Sequence, residues 1–201
     1  MRISLVVSLM SAAVVVGSAR AEARDEAVIR VRIYDYVGLT SDTLSETQRL
    51  AANFYVPAGL AIDWAPTFRP HDRNHEYGRL QDFTINVLNR TMAARSTWAP
   101  DALGTAVVAP TGGGSIAYVL YDRLKDAAVA SGWQVKDLLA LVIAHELAHL
   151  LLPPGSHSSD GLMRSGWDVS ELRHIRLNSL ALTPDHVAAI RKRLAQMVPT
   201  N

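Results

Sequence analysis

Residues 135–152, VKDLLALVIAHELAHLLL, constrain this chain more than any other stretch. Leucine, isoleucine, valine and alanine fall on nearly every face of the helix this composition favours, and Pro153 and Pro154 stop it. A helix that is apolar all round must be buried, so the rest of the chain has to cover it on every side. Yet His145, Glu146 and His149 sit inside it. Burying two imidazoles and a carboxyl group among leucines and alanines costs several kcal/mol unless something satisfies them, and a metal ion would do so.

Four residues make a little over one helical turn, so His145 and His149 stand one above the other on one face. Two neutral imidazoles in that arrangement can bind one Zn²⁺, and Glu146, next to the first, can reach a water on the ion as its general base. The bland alternative is a pair of core histidines satisfied without metal. The 201 residues contain no cysteine. That excludes a disulfide framework, a thiolate-ligated metal and a thiol nucleophile, and leaves the chemistry to imidazole and carboxylate. A third ligand must come from beyond the helix, where His157, Asp160 and Glu171 are all acceptable zinc donors.

Around the helix, residues 27–37 (AVIRVRIYDYV) are rich in β-branched side chains and precede Gly38, which favours a strand. Ser41 and Asp42 offer N-caps to a helix that Pro57 and Gly59 stop. Residues 60–64, 83–88, 102–109 and 116–121 read as four further strands, the last entered through Thr111-Gly112-Gly113-Gly114. The polar stretch 68–80 has no apolar period and reads as a surface loop. Thr183-Pro184-Asp185 opens a final amphipathic helix carrying Val187, Ile190, Leu194 and Met197. With no repeat or linker, the expected fold is a single α+β domain over residues 22–201.

After the helix come Pro153-Pro154-Gly155-Ser156-His157 and then Gly161-Leu162-Met163. Here the chain resembles the metzincin clan of zinc endopeptidases, whose pattern is HExxHxxGxxH followed by a turn that carries Met beneath the metal. His145, Glu146, His149 and Met163 match in type and order, and His157 matches in type two residues later than usual. Leu152 stands at the glycine position of the pattern, and Pro153-Pro154-Gly155 would stop the helix and reverse the chain in its place. The resemblance implies a metzincin-like zincin domain: a twisted mixed sheet, a buried zinc-binding helix, a Met-turn and a C-terminal helix. It also implies Zn²⁺ on His145, His149 and His157, Glu146 as general base, and Met163 as a packed floor rather than a ligand. In the clan the strand before the zinc helix is commonly an antiparallel edge that pairs with extended substrate, which would place Ala117 and Tyr118 on the peptide-binding edge. Some members carry a Tyr two residues after the Met; this chain has Ser165.

The start of the chain bears on where it works. Met1 and Arg2 are followed by an apolar run and then by Gly17-Ser18-Ala19-Arg20-Ala21, the pattern of a secretory signal peptide cut after Ala21. Removing 21 of 201 residues leaves 180, and losing Arg2 and Arg20 takes Lys+Arg from 20 to 18 against 19 acids, so the charge moves from +1 to −1. That balance gives no reason to expect a nucleic-acid partner or a stable membrane association after cleavage. The expectation is a secreted or periplasmic monomer, a zinc endopeptidase acting on protein or peptide substrate. A zinc hydrolase of cell-wall peptides and a catalytically silent zinc-binding module are the alternatives. Glu146 argues against the last, since a closed structural site would use a fourth protein ligand and need no base. His71, His75 and Glu76 could make a second metal site but read more simply as part of a solvated loop, Gly112 to Gly114 lack the Lys and helix of a phosphate loop and read as a flexible rim to the cleft, and Trp98, Trp133 and Trp167 read as core or rim aromatics. His174 and His186 have no partner pattern.

Overall fold

Strand β1, Ala27–Asp35, alternates so that Ile29, Val31 and Ile33 are fully buried while Val28 and Arg30 face outward. The computed structural model describes residues 27–67, 83–166, 172 and 180–197. β1 ends two residues before the sequence-based boundary because the Asp35 carboxylate accepts the backbone N–H groups of Val37, Gly38 and Leu39, which turns the chain out of the strand. Helix α1, Ser41–Asn53, follows, capped by the Thr40 side chain rather than by Ser41 or Asp42. It buries Leu44, Thr47 and Ala51.

A single 3₁₀ turn, Val56–Ala58, leads to β2, Leu60–Trp64. β3 is Phe83–Leu88, and a short helix α2, Arg90–Ala93, is capped by the Asn89 side chain. β4, Gly104–Val108, and β5, Gly114–Leu120, form a hairpin whose turn places Gly112 and Gly113 at positive φ. β5 runs directly into helix α3, Tyr121–Ser131. Then come α4, Val135–Leu151, and α5, Pro184–Met197.

The five strands lie in the order β2-β1-β3-β5-β4. β2, β1, β3 and β5 are parallel neighbours, and only β4 is antiparallel, paired with β5 in the register Gly104↔Val119. The sheet is therefore mixed, as expected, but mostly parallel. One expectation needs correction: β5 is flanked on both sides, by β3 and β4, so Ala117 and Tyr118 lie on an interior strand. Among the described strands the antiparallel edge is β4, a distinction that rests on pairing between distant segments rather than on local composition.

Helix α4 crosses the middle of the molecule. Leu138, Leu139, Ala140, Leu141, Ala144, Leu147, Ala148 and Leu150 have no exposed surface, and they join the inward side chains of β1, β3 and β5 and of α1 in one core. Tyr55, also fully buried, donates its hydroxyl to the Ala144 carbonyl at 2.7 Å and so ties the end of α1 to the turn of α4 that carries His145. α5 is held to the 3₁₀ turn by Arg191, whose Nη2 donates to the carbonyls of Ala58 and Gly59 at 2.9 Å each. No helix among the described residues is long and apolar enough to cross a membrane.

Candidate metal centre

The chain leaves α4 in a way that explains its departure from the usual spacing. Leu152 has φ −101° and ψ 159°, an extended conformation that any residue adopts, so no glycine is needed there. Pro153 and Pro154 follow, and the reversal falls at Gly155, φ 74°. His157 is thereby brought back over the end of the helix. Its ring lies with centroids 5.6 Å from that of His145 and 4.7 Å from that of His149.

One nitrogen from each of His145, His149 and His157 lies within 4.8 Å of the others, and among the described residues this is the one group of potential ligands so gathered. The Nε2 atoms of His145 and His149 are 3.0 Å apart. Imidazole nitrogens 2.0–2.1 Å from a tetrahedral zinc stand about 3.3 Å from one another, a spacing that these distances bracket. Asp160 is not in the group. Glu171, His71, His75, Glu76, Trp167 and His174 lie outside the described residues.

Electrostatics favour the lone-pair-bearing state. Burial lowers the pKa of His145, with the charge of His157 adding to it, while the hydrogen bond to Leu162 opposes. Burial also takes His149 down to about 3, helped by the nearby His145, His157 and His186. A carbonyl can only accept, so the 2.7 Å contact between His145 Nδ1 and the Leu162 oxygen fixes the proton on Nδ1 and turns Nε2 toward the other two rings. The donor set thus fits a zinc ion: three imidazoles, one oriented from behind by a backbone carbonyl, and no fourth protein ligand among the described residues.

Leu162 is itself held in place. Its N–H donates to the Ala181 carbonyl at 3.0 Å, and Ser158 N–H donates to the Met163 carbonyl at 2.8 Å, closing the turn that carries the Leu162 carbonyl. Gly161 enters that turn at φ 72°. Leu162 and Met163 are fully buried.

Glu146 is only 6% exposed, and desolvation raises its carboxyl pKa to about 8. A neighbouring dication would favour the carboxylate again. β4 passes beside it: Gly104 lies against the Glu146 side chain. Sequence reasoning missed the Leu162 carbonyl, the β4 edge and Gly104; only the last left a signal, since glycine inside a strand marks a close approach. Tyr118 packs on Trp98, ring centroids 5.5 Å apart, and Ala117 is buried, its carbonyl accepting from Asn86 Nδ2 at 3.3 Å. The glycines before β5 form an ordered turn, with Gly113 buried against the Arg193 guanidinium. His186 stands at the start of α5, its N–H donating to the Thr183 hydroxyl at 3.3 Å.

No family model matches the chain, and no curated protein matches it. Among solved structures, it is similar to archaemetzincin from Methanopyrus kandleri, at 12% identity over 86% of this chain and 99% of that one, with a TM-score of 0.54. A zinc-dependent peptidase from Methanocorpusculum labreanum gives 12% identity, 81% and 99% coverage and a TM-score of 0.48. Metalloproteinase-II from Bacteroides fragilis gives 15% identity, 86% and 55% coverage and a TM-score of 0.47. At such identities the likeness to archaemetzincin is one of fold.

Proposed function

We propose that the protein is a zinc-dependent endopeptidase in which His145, His149 and His157 hold Zn²⁺ and Glu146 is the general base. The observation that carries this reading is the convergence of three imidazoles at the end of a buried helix, with a desolvated carboxyl group one residue from the first of them. The fold shared with archaemetzincin supports it at the level of architecture. Zinc, when bound, would supply Lewis acidity toward a peptide carbonyl and acidify a water. Glu146 would take the proton from the attacking water and pass it to the departing amide nitrogen. His145 would keep its tautomer through the Leu162 carbonyl, and the turn through Met163 would serve as the Met-turn, a packed floor to the site.

Among the described residues β4 pairs with β5 alone, so its other side can take an extended peptide as an added strand, laid close to Glu146. The same reading takes residues 1–21 as a signal peptide and the remainder as one catalytic domain, secreted or periplasmic and monomeric; the N-terminal sequence of exported protein would begin at Glu22. Digestion of a peptide library by the purified protein tests the activity. Cleavage should stop on adding a chelator and return with zinc. Glu146→Ala should keep its zinc and lose turnover by at least about a hundredfold; a Glu146→Ala variant that cleaves as well as wild type would end the proposal.

A further inference from the structure

We propose that Gly104, on the edge strand β4, is a positioning residue for Glu146: the side chain it lacks is the space in which the Glu146 carboxyl group is seated. A β-carbon on Gly104 would stand 2.8 Å from Glu146 Cγ, 2.8 Å from Glu146 Oε1 and 2.9 Å from Val142 Cγ1, closer than β-carbons sustain. Backbone conformation does not require glycine here, because Gly104 is not among the residues at positive φ. Glycine weakens a strand interior through its unfolded-state freedom, so what it provides at this position is room.

The geometry also says what would move if that room were filled. Gly104 is held in the antiparallel ladder opposite Val119, beside the 2.8 Å bond from Leu120 N–H to the Leu103 carbonyl. The backbone of α4 is locked in the core. Glu146 is a side chain with rotatable bonds and is the softest of these parts, so an added methyl group displaces its carboxyl group before it displaces β4 or α4. Because nothing intervenes at Gly104, the edge strand and the carboxyl group touch directly. A peptide laid on that edge would therefore meet Glu146 within reach of its backbone.

This inference rests on Glu146 as general base, and its test separates the two. Melting temperatures of the full chain carrying Gly104→Ala are compared in three backgrounds: wild type, Glu146→Gln and Glu146→Ala. The contact predicts similar drops in the first two, where the shape of the side chain is kept, and a smaller drop in Glu146→Ala, where Cγ and Oε1 are gone and only Val142 Cγ1 still meets the added carbon. An undiminished drop in that background overturns the inference. Should Gly104→Ala alone not fold, the comparison is made with Val142→Ala added in every background, which removes the Val142 Cγ1 contact, and Glu146→Ala must then restore folding; failure to do so has the same meaning. In zinc-loaded protein, Gly104→Ala should lower kcat roughly ten- to hundredfold with KM within about twofold of wild type and zinc content unchanged. An unchanged kcat, or a loss carried by KM or zinc content, overturns the positioning role. If the wild-type protein cleaves no peptide, the functional reading fails, and the melting comparison alone decides whether Gly104 seats Glu146.

Discussion

Gly161→Ala perturbs the metal centre without touching a ligand. Gly161 has φ 72°, and a residue with a β-carbon pays roughly 1–2 kcal/mol to adopt that left-handed conformation. Its β-carbon would also stand 2.5 Å from the Ala181 carbonyl oxygen, a backbone atom that already accepts from Leu162 N–H at 3.0 Å. Relieving the contact means stretching that bond, at about 1 kcal/mol. Together these give about 2–3 kcal/mol, or a melting temperature lower by roughly 5–10 °C for a chain of this size. Since the shift carries Leu162 with it, the carbonyl that orients His145 moves as well. Loss of such an outer partner lowers metal affinity about 10- to 100-fold. Thermal unfolding of the metal-free protein reads the first effect, and zinc competition against a chromophoric chelator reads the second. An unshifted melting temperature would refute the reasoning about the turn. A destabilised protein with wild-type zinc affinity would refute the orienting role of Leu162.

Two further outcomes follow from named contacts. His157→Ala should lose most of its zinc under dialysis that leaves Asp160→Ala fully loaded, because His157 and not Asp160 joins His145 and His149; equal zinc contents would remove His157 from the site. Hydrogen bonds from Arg49 hold the Glu46 carboxyl pKa down to about 2, so its stabilisation is complete above about pH 4.5, where the unfolded chain ionises, and is lost as the pH falls toward 2. The difference in melting temperature between wild type and Glu46→Gln should accordingly close over that range; a gap independent of pH would contradict the ion pair.

The elements dominated by local composition were legible from the sequence. α4 announced itself because an all-apolar helix has one place to go, and α5 because Thr183-Pro184-Asp185 caps it and Val187, Ile190, Leu194 and Met197 share a stripe. His145, Glu146 and His149 could be read from the cost of burying them. His157 could be read as a candidate because so few donors follow the helix. α3 was missed although Leu124, Ala128 and Ser131 are spaced for a helix and Gly132 ends it, because β5 passes into it at Tyr121 without glycine or proline to mark the change. The rank of β4 and β5 in the sheet was not legible, since GTAVV and GSIAYVL carry the same strand signal and only pairing with β3 makes one of them interior. The Leu162 carbonyl is a backbone atom and has no sequence signature. Gly104 hinted at a close approach without naming what approaches.

X-ray absorption at the zinc edge, on protein loaded with one equivalent of zinc, tests the central claim most directly. Three imidazole nitrogens at about 2.0–2.1 Å and one oxygen donor from water are expected, with one imidazole lost in His157→Ala. Only two imidazoles in the wild-type protein, or a protein carboxylate in place of the third, would contradict the assignment of His145, His149 and His157 as the metal centre.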